Sequence, residues 1–481
     1  MLLGLDLGTG SAKAILMTLE GVINGEGSSR YAVNAPRPGW ADSDPHDWWE
    51  AAAAVVRQAV GGRSAEVTAL GLSGQMHGVV LCDARGKPLR PAVLWADGRS
   101  TAELAAYRAL TPEQRLALAN PPATGMAGPT LLWLSRHEPE VYHAARWALQ
   151  PKDWLRLRLT GVACAEPADA SATLLYDLGG DTWAVAITEA LGLRSELLAP
   201  LVPSGTVAGT LTAEAAAHLG LPEGLPVAAG AGDAAAAALG SGLLNPDQVQ
   251  LTVGTGAQIL AMRDQPVADS RLVTHLYRAA QPARWYTMAA MQNAGLALEW
   301  VRGVLGLSWP EMYQALATVP PGCEGLTFLP YLSGERTPHL NPEARGAWLG
   351  LHLHHTRAHL ARAALEGVAF SVRDGLAALE ATGIKAPALL LAGGGTLEAT
   401  WRQLLADVLG RPLAALSVPS ASARGAALLA GIASGCYPDA EATLAIAPSA
   451  TRCAEPQPED RLEDAWERYR SAYPRLLLAE A

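Results

Sequence analysis

An acid at the end of an apolar run, followed by glycines and hydroxyls, is the first chemistry this chain offers. Asp6-Leu7-Gly8-Thr9-Gly10-Ser11-Ala12-Lys13 has that form. Gly254-Thr255-Gly256 repeats its centre after the apolar Leu251-Thr252-Val253. Glycines leave backbone N–H groups unobstructed and short hydroxyls add donors, which suits phosphate oxygens. An acid at the strand end can hold Mg2+ through water. A single such hairpin is also what an ordinary tight turn looks like, but two copies can clamp a nucleotide between them. Gly8, Thr9, Lys13, Gly254 and Thr255 are therefore candidate phosphate contacts, and Asp6 is a candidate acid.

Asp233 is the second candidate. It follows Gly230-Ala231-Gly232 and opens the Ala-rich run Ala234 to Leu239. Such an aspartate can be a plain helix cap. It can also be a general base that orients a sugar hydroxyl, and flanking glycines would let the sugar approach closely. In phosphoryl transfer that base needs no raised pKa, because positioning and charge neutralisation do most of the work. The same stretch reads G-x-G-x-x-A, but Asp233 would stand where a dinucleotide's pyrophosphate lies, and like charges repel there. No G-x-x-x-x-G-K-[ST] run occurs, so a P-loop is excluded. Ser73-Gly74-Gln75-Met76-His77-Gly78 puts hydroxyl, amide, thioether and imidazole on one turn, which suits recognition of a polyol. His352, His354, His355 and His359 crowd together too, but no acid or Cys within that stretch completes a metal site. It reads as a loop leading into a helix.

The elements that must position these residues follow from the pattern. Leu2 to Leu7 and Ala12 to Thr18 read as strands around the first hairpin. Val67 to Ser73 and Ala388 to Ala392 are short apolar strands running into glycine turns, each downstream of its own Gly-Thr-Gly hairpin. Two related halves joined near residues 240–250 are the natural reading. Asp44-Pro45 starts a helix that runs to about Val60, and Thr356 to Leu379 is a second long helical pattern. The chain beyond about residue 440 turns polar and ends in a helix. Of its 481 residues, 50% are hydrophobic and 17% are charged. That balance supports large buried cores and α/β domains. A net charge of −10 without a basic block argues against binding nucleic acid. Five scattered Cys with no C-x-x-C pair fit a reducing cytoplasm rather than a disulfide framework. No signal peptide and no membrane span are expected.

On these residues the chain resembles the FGGY carbohydrate kinases over roughly residues 1–440. The resemblance rests on Asp6-Leu7-Gly8-Thr9, the Pro-Gly-Trp-Ala-Asp-Ser-Asp-Pro run at 38–45, Ser73 to Gly78 and Leu94 to Arg99. It continues with Pro151-Lys152-Asp153, Gly230 to Asp233, Leu329 to Pro338 and Gly393-Gly394-Gly395. It implies an α/β fold of two ribonuclease H-like domains of the actin/sugar-kinase superfamily flanking a cleft. Residues 1–243 would bind the sugar, 244–440 would bind ATP, and 441–481 would form a tail with a helix. By position Asp233 resembles the catalytic base, with Asp6 supporting Mg2+ and phosphate and both acids near the ion through water. Gln75, Met76 and His77 resemble the substrate turn, and Gly394 and Gly395 the wall near the adenosine. The turn at 75–77 is similar to that of members that phosphorylate D-xylulose with ATP. Other pentuloses or polyols, such as ribulose, gluconate or a sugar alcohol, and a sugar-independent ATPase stay open as alternatives. The implied partners are a small sugar and ATP, without nucleic acid or membrane, and a homodimer is compatible with them. Three positions depart from the family pattern: Thr130, Glu398 and Arg424.

Overall fold

A computed structural model of the protein describes residues 1–246 and 248–479, with the side chains described up to residue 476. The first hairpin joins β1 (Leu2–Leu7) to β2 (Ser11–Met17), and β3 (Ile23–Arg30) extends it. β4 (Ala69–Gly74), β5 (Val207–Thr210), β6 (Pro226–Ala228) and β7 (Ala231–Gly232) complete a sheet of order β5-β6-β4-β1-β2-β3, with β7 beside β4. β1, β4 and β6 run parallel at its centre. Both faces are covered there, and the strands are almost wholly apolar. Among the helices of this half are α1 (Pro45–Val60), α2 (Pro151–Thr160) and α3 (Asp233–Gly240). α1 begins as its sequence dictates. Asp44 accepts a hydrogen bond from the His46 N–H at 2.9 Å, Pro45 occupies the first turn, and Gly61 ends the helix in a left-handed conformation.

The second half repeats the plan. Its strands are β8 (Val249–Val253), β9 (Ala257–Arg263), β10 (His275–Arg278), β11 (Trp285–Met291), β12 (Leu389–Ala392), β13 (Leu413–Leu416) and β14 (Ala450–Ala454). The order is β10-β11-β9-β8-β12-β13-β14. In each sheet antiparallel strands lead to a parallel centre, two in the first and three in the second, and an antiparallel strand closes the far edge. β8 matches β1 and β12 matches β4. The repeat seen in the Gly-Thr-Gly hairpins is thus a repeat of the whole sheet. Among the helices here are α4 (Gly295–Leu305), α5 (Arg357–Glu380), α6 (Ala399–Leu409), α7 (Ala421–Ala433) and α8 (Asp460–Ala479). Thr356 caps α5, within a residue of the expected start. β14 and α8 are built into this half: Leu462, Ala465 and Tyr469 are buried in its core. Among the described residues no helix is long and apolar enough to cross a membrane.

Each half has its own core, and a third core lies between them. That third core is made by α3 and α7, which pack on each other. α7 comes from the second half of the chain but lies on the first sheet, against β1 and β4. Glycines permit the approach. A Cβ on Gly4 would sit 1.9 Å from the Ala423 carbonyl oxygen, and one on Gly71 would sit 1.8 Å from that of Ala426. A Cβ on Gly425 would meet the Ala236 oxygen of α3 at 1.8 Å. The contacted atoms are helix backbone and cannot rotate away. Gly71→Ala should therefore destabilise the protein by about 1–3 kcal/mol. Thermal melts of the variant against the parent measure this, and an unchanged Tm would show that the helix has room to move off the sheet.

Candidate active site

The parallel register decides which side chains meet. Asp6 pairs with Ser73 across β1 and β4, and Ser73 pairs with Ala231 across β4 and β7. One step further along, Gly74 pairs with Gly232, and the next residue is Asp233. Asp6 and Asp233 thus converge at the carboxyl ends of β1 and β7, the two neighbours of β4, where open α/β sheets bind their ligands. The Ser73 hydroxyl donates to Asp6 Oδ1 at 3.0 Å. Burial raises the Asp6 pKa, against the pull of Ser73 and of the exposed Lys13 ammonium. Burial, joined by the nearby Asp6 charge, pushes Asp233 up to about 7.

The first hairpin is fixed from behind. The Gly8 carbonyl accepts from the Tyr31 hydroxyl and from Gln75 Nε2, the latter at 3.2 Å. Trp95 Nε1–H donates to Thr9 Oγ1 at 2.8 Å, so the Thr9 hydroxyl proton stays free for an acceptor. The amide nitrogen of Gln75 therefore holds the hairpin.

Met76 and His77 follow Gln75 on the turn after β4. Met76 is buried between Gly232, whose Cβ would lie 2.9 Å from Met76 Cγ, and Tyr286, whose hydroxyl points at its sulfur. His77 has a left-handed backbone, with φ 73°. Its N–H donates to Gln150 Oε1 at 2.7 Å, and its Nδ1–H donates to the Ala172 carbonyl at 2.8 Å. Burial, with help from Arg336, pushes its pKa down to about 4. The ring is therefore neutral, and Nε2 is left as a hydrogen-bond acceptor. Gln150 in turn donates to the Asp169 carbonyl. Asp169 and Glu166 lie 3.3 and 3.4 Å from Lys152 Nζ in a fully buried ion network, which braces the turn from below.

The second set of predicted residues lies at the equivalent edge of the other sheet. Gly254 and Thr255 are exposed, and their carbonyls accept from the N–H groups of Gly295 and Leu296 at 3.0 and 2.9 Å. Gly394 and Gly395 begin a single turn after β12. A Cβ on Gly394 would meet nothing within 4 Å, and one on Gly395 would lie 3.0 Å from the Val253 carbonyl. Hairpin and glycine turn are thus neighbours because β8 and β12 are.

Arg336 joins the two sets. Its own N–H and the Gln292 N–H both donate to Glu335 Oε1, at 2.8 and 2.6 Å, and Gln292 and Asn293 lead into α4 beside the second hairpin. Its guanidinium lies 5.5 Å over the Trp95 ring, and its charge also depresses His275, which is down to about 3 mainly through burial. His275 Nδ1 and the Tyr277 hydroxyl share a hydrogen bond at 2.9 Å, and the Tyr277 ring is 6.2 Å from that of His77. Trp95, Arg336, His275, Tyr277 and Gln150 were not among the candidates. Trp95 and Arg336 stood within quoted runs, but nothing local marked them as cleft residues.

A raised carboxylate pKa is also a stability statement. Ionised Asp233 destabilises the fold, and the penalty is absent below pH 3.8, grows up to about pH 7 and is complete above it. Asp233→Asn should raise Tm at pH 8 without nucleotide or magnesium, with the gain fading towards pH 4. Equal melts at pH 8 would show that the two carboxylates do not repel.

The chain matches both family models of the FGGY carbohydrate kinases, the N-terminal domain at residues 1–240 and the C-terminal domain at residues 249–434. The xylulose kinase of Escherichia coli (strain K12) is 38% identical over 416 residues, covering 86% of each chain. A glycerol kinase from Alkalilimnicola ehrlichii is 32% identical over 476 residues, 94% of each chain. Among solved structures, the xylulose kinase from Rhodospirillum rubrum superposes with a TM-score of 0.91 at 32% identity, over 99% of this chain and 98% of that one.

Proposed function

The chain belongs to the FGGY family of carbohydrate kinases, and on that premise we propose that it transfers the γ-phosphoryl of ATP to the terminal hydroxyl of D-xylulose, giving D-xylulose 5-phosphate. The observation that carries the reading is the convergence of Asp233 with Asp6, the acid that leads into the hairpin at Gly8 and Thr9. The pentulose is favoured by the E. coli relative's name and substantial identity. We take residues 1–243 as the sugar-binding domain, 244–440 as the ATP-binding domain and 441–481 as the tail. Five unpaired cysteines accord with a reducing cytoplasm.

The roles follow from the geometry. His77 Nε2 accepts from one sugar hydroxyl and fixes the sugar's rotation in the cleft. Asp233 accepts from the terminal hydroxyl and takes its proton as the phosphoryl arrives. The Thr9 hydroxyl and the hairpin N–H groups face the phosphate oxygens. Gly254, Thr255, Gly394 and Gly395 hold the nucleotide, whose ring would lie along the glycine turn. Two poorly solvated hard-oxygen donors, with Asp6 raising the pKa of Asp233, suit a divalent cation, so Asp6 and Asp233 are the residues that would hold Mg2+ through water. The ion would supply charge neutralisation on the transferred group.

A second reading has its own support. The glycerol kinase relative matches nearly the whole chain, so another polyol is the rival substrate. A coupled ADP-release assay with D-xylulose, D-ribulose, L-ribulose, gluconate, xylitol, glycerol and a no-sugar blank separates the two. Preferential turnover of D-xylulose is expected. Preference for glycerol would replace the substrate, and a blank as fast as every sugar would remove the kinase reading.

The working form of Asp233 is the ionised one. At subsaturating Mg·ATP, kcat/KM for the sugar should be level above about pH 7 and fall as pH drops through it. Asp233→Ala should cut kcat about 10²–10⁴-fold with little change in the Kd for ATP. Near-normal turnover would remove Asp233 from its role.

A further inference from the structure

The His-rich stretch finds in space the acid it lacks in sequence. Its loop follows Leu349 and leads into α5, and Glu324 reaches it from the short turn Cys323–Gly325. Glu324 Oε2 lies 3.1 Å from His354 Nε2 and 3.4 Å from His359 Nε2. One donor atom each from Glu324, His354 and His355 fall within 4.8 Å of one another. Tetrahedral Zn2+ with ligands at about 2.0–2.1 Å places neighbouring donors about 3.3–3.4 Å apart. The Glu324–His354 pair is close to that spacing without any rearrangement.

Two further features point to a ligand. The buried Nε2 of His355 has no partner. And Glu324 is held where it is by a backbone that no ordinary turn requires. Gly322, Cys323, Glu324 and Gly325 all have positive φ, at 78°, 49°, 51° and 96°. Cys323 and Glu324 are thus strained, and side chains beneath fix the turn. The Gly322 N–H donates to Glu366 Oε1 at 3.1 Å, and Arg362 Nε donates to the same oxygen at 2.7 Å.

We propose that Glu324, His354 and His355 form a binding site for a late first-row divalent cation, with Zn2+ as its representative. Imidazole and one carboxylate suit such a cation better than Mg2+, which prefers an all-oxygen octahedron. His359 supports the site from outside. Its Nδ1 accepts from the Thr356 N–H at 3.2 Å. Its Nε2 therefore carries the proton and donates to Glu324, as outer partners of metal ligands do. His355 must change one contact. Its Nδ1 now accepts from the His352 N–H at 3.0 Å, so metal at Nε2 displaces the Nε2 proton to solvent and a proton is taken up at Nδ1. The His352 N–H then turns to water, which is available because His352 is exposed. The cation would fasten the strained turn to the start of α5. The site lies apart from the cleft. Arg357 touches the Leu305 carbonyl at the end of α4, and the Gly254 hairpin touches the beginning of that helix. At the α-helical rise per residue, those two ends are about 16 Å apart.

The test is calorimetric titration of the untagged full chain with ZnCl2, checked by competition with a chromogenic chelator. One saturable equivalent per chain is expected, undisturbed by millimolar Mg2+. Glu324→Gln and His354→Ala should each weaken it about 10–100-fold. Zn2+ should raise the Tm of the parent and not of Glu324→Gln. Co2+ should give the visible absorption of a four-coordinate ion. Sugar-dependent turnover should be unchanged in both variants, which shows that they fold. Absence of saturable binding at micromolar Zn2+ would overturn the site, as would unaltered affinity in Glu324→Gln.

Discussion

Two carboxylates pressed together at the edge of one sheet set the terms for the whole cleft. Asp6 and Asp233 are brought there by the register of parallel strands, which no side chain can adjust. Once there, they repel, and burial strengthens the repulsion. The surroundings answer that charge in different ways. Ser73 and Lys13 relieve Asp6, and the Lys152 network neutralises Glu166 and Asp169 just below. A group of cations and donors gathered around fixed anions is how a protein prepares a place for a polyphosphate and its metal ion.

The parts of this arrangement legible in the sequence were those whose signals are local. Asp44-Pro45 announces a helix start because cap and proline act within one turn. Thr356 does the same for α5. Gly8-Thr9-Gly10 and Gly254-Thr255-Gly256 share a pattern because each closes a hairpin of the same sheet plan. What escaped is what depends on partners far away in the chain. Arg336 is an ordinary arginine until Trp95, more than two hundred residues earlier, is seen beneath it. Gln75 reads as a ligand contact, and only the structure shows its amide turned to the Gly8 carbonyl. The histidines of 352–359 needed Glu324, which nothing in their own stretch foretells.

The three positions that depart from the family pattern also find local explanations. Arg424 is buried in α7, where it donates to the Gly21 and Ile446 carbonyls and ties the turn after β2 to the chain beyond residue 440. Glu398 caps α6, accepting from the Thr400 N–H. Thr130 is buried within a helix. Each is accounted for by packing or capping, with no need of a ligand.

The seat of α7 on β1 and β4 has a consequence for how the protein is made. The first sheet is assembled from residues 2–232, yet one of its faces is covered by a helix at 421–433. During synthesis that face, lined by Leu2, Ile15, Met17 and Ala69 with bare glycine backbone at Gly4 and Gly71, stays open until nearly the whole chain has left the ribosome. The halves share sheet topology like two separate domains, but the first cannot close before the second exists. Docking of α7 therefore departs from the N-terminal-first order, and the first sheet keeps that apolar face bare until the helix arrives.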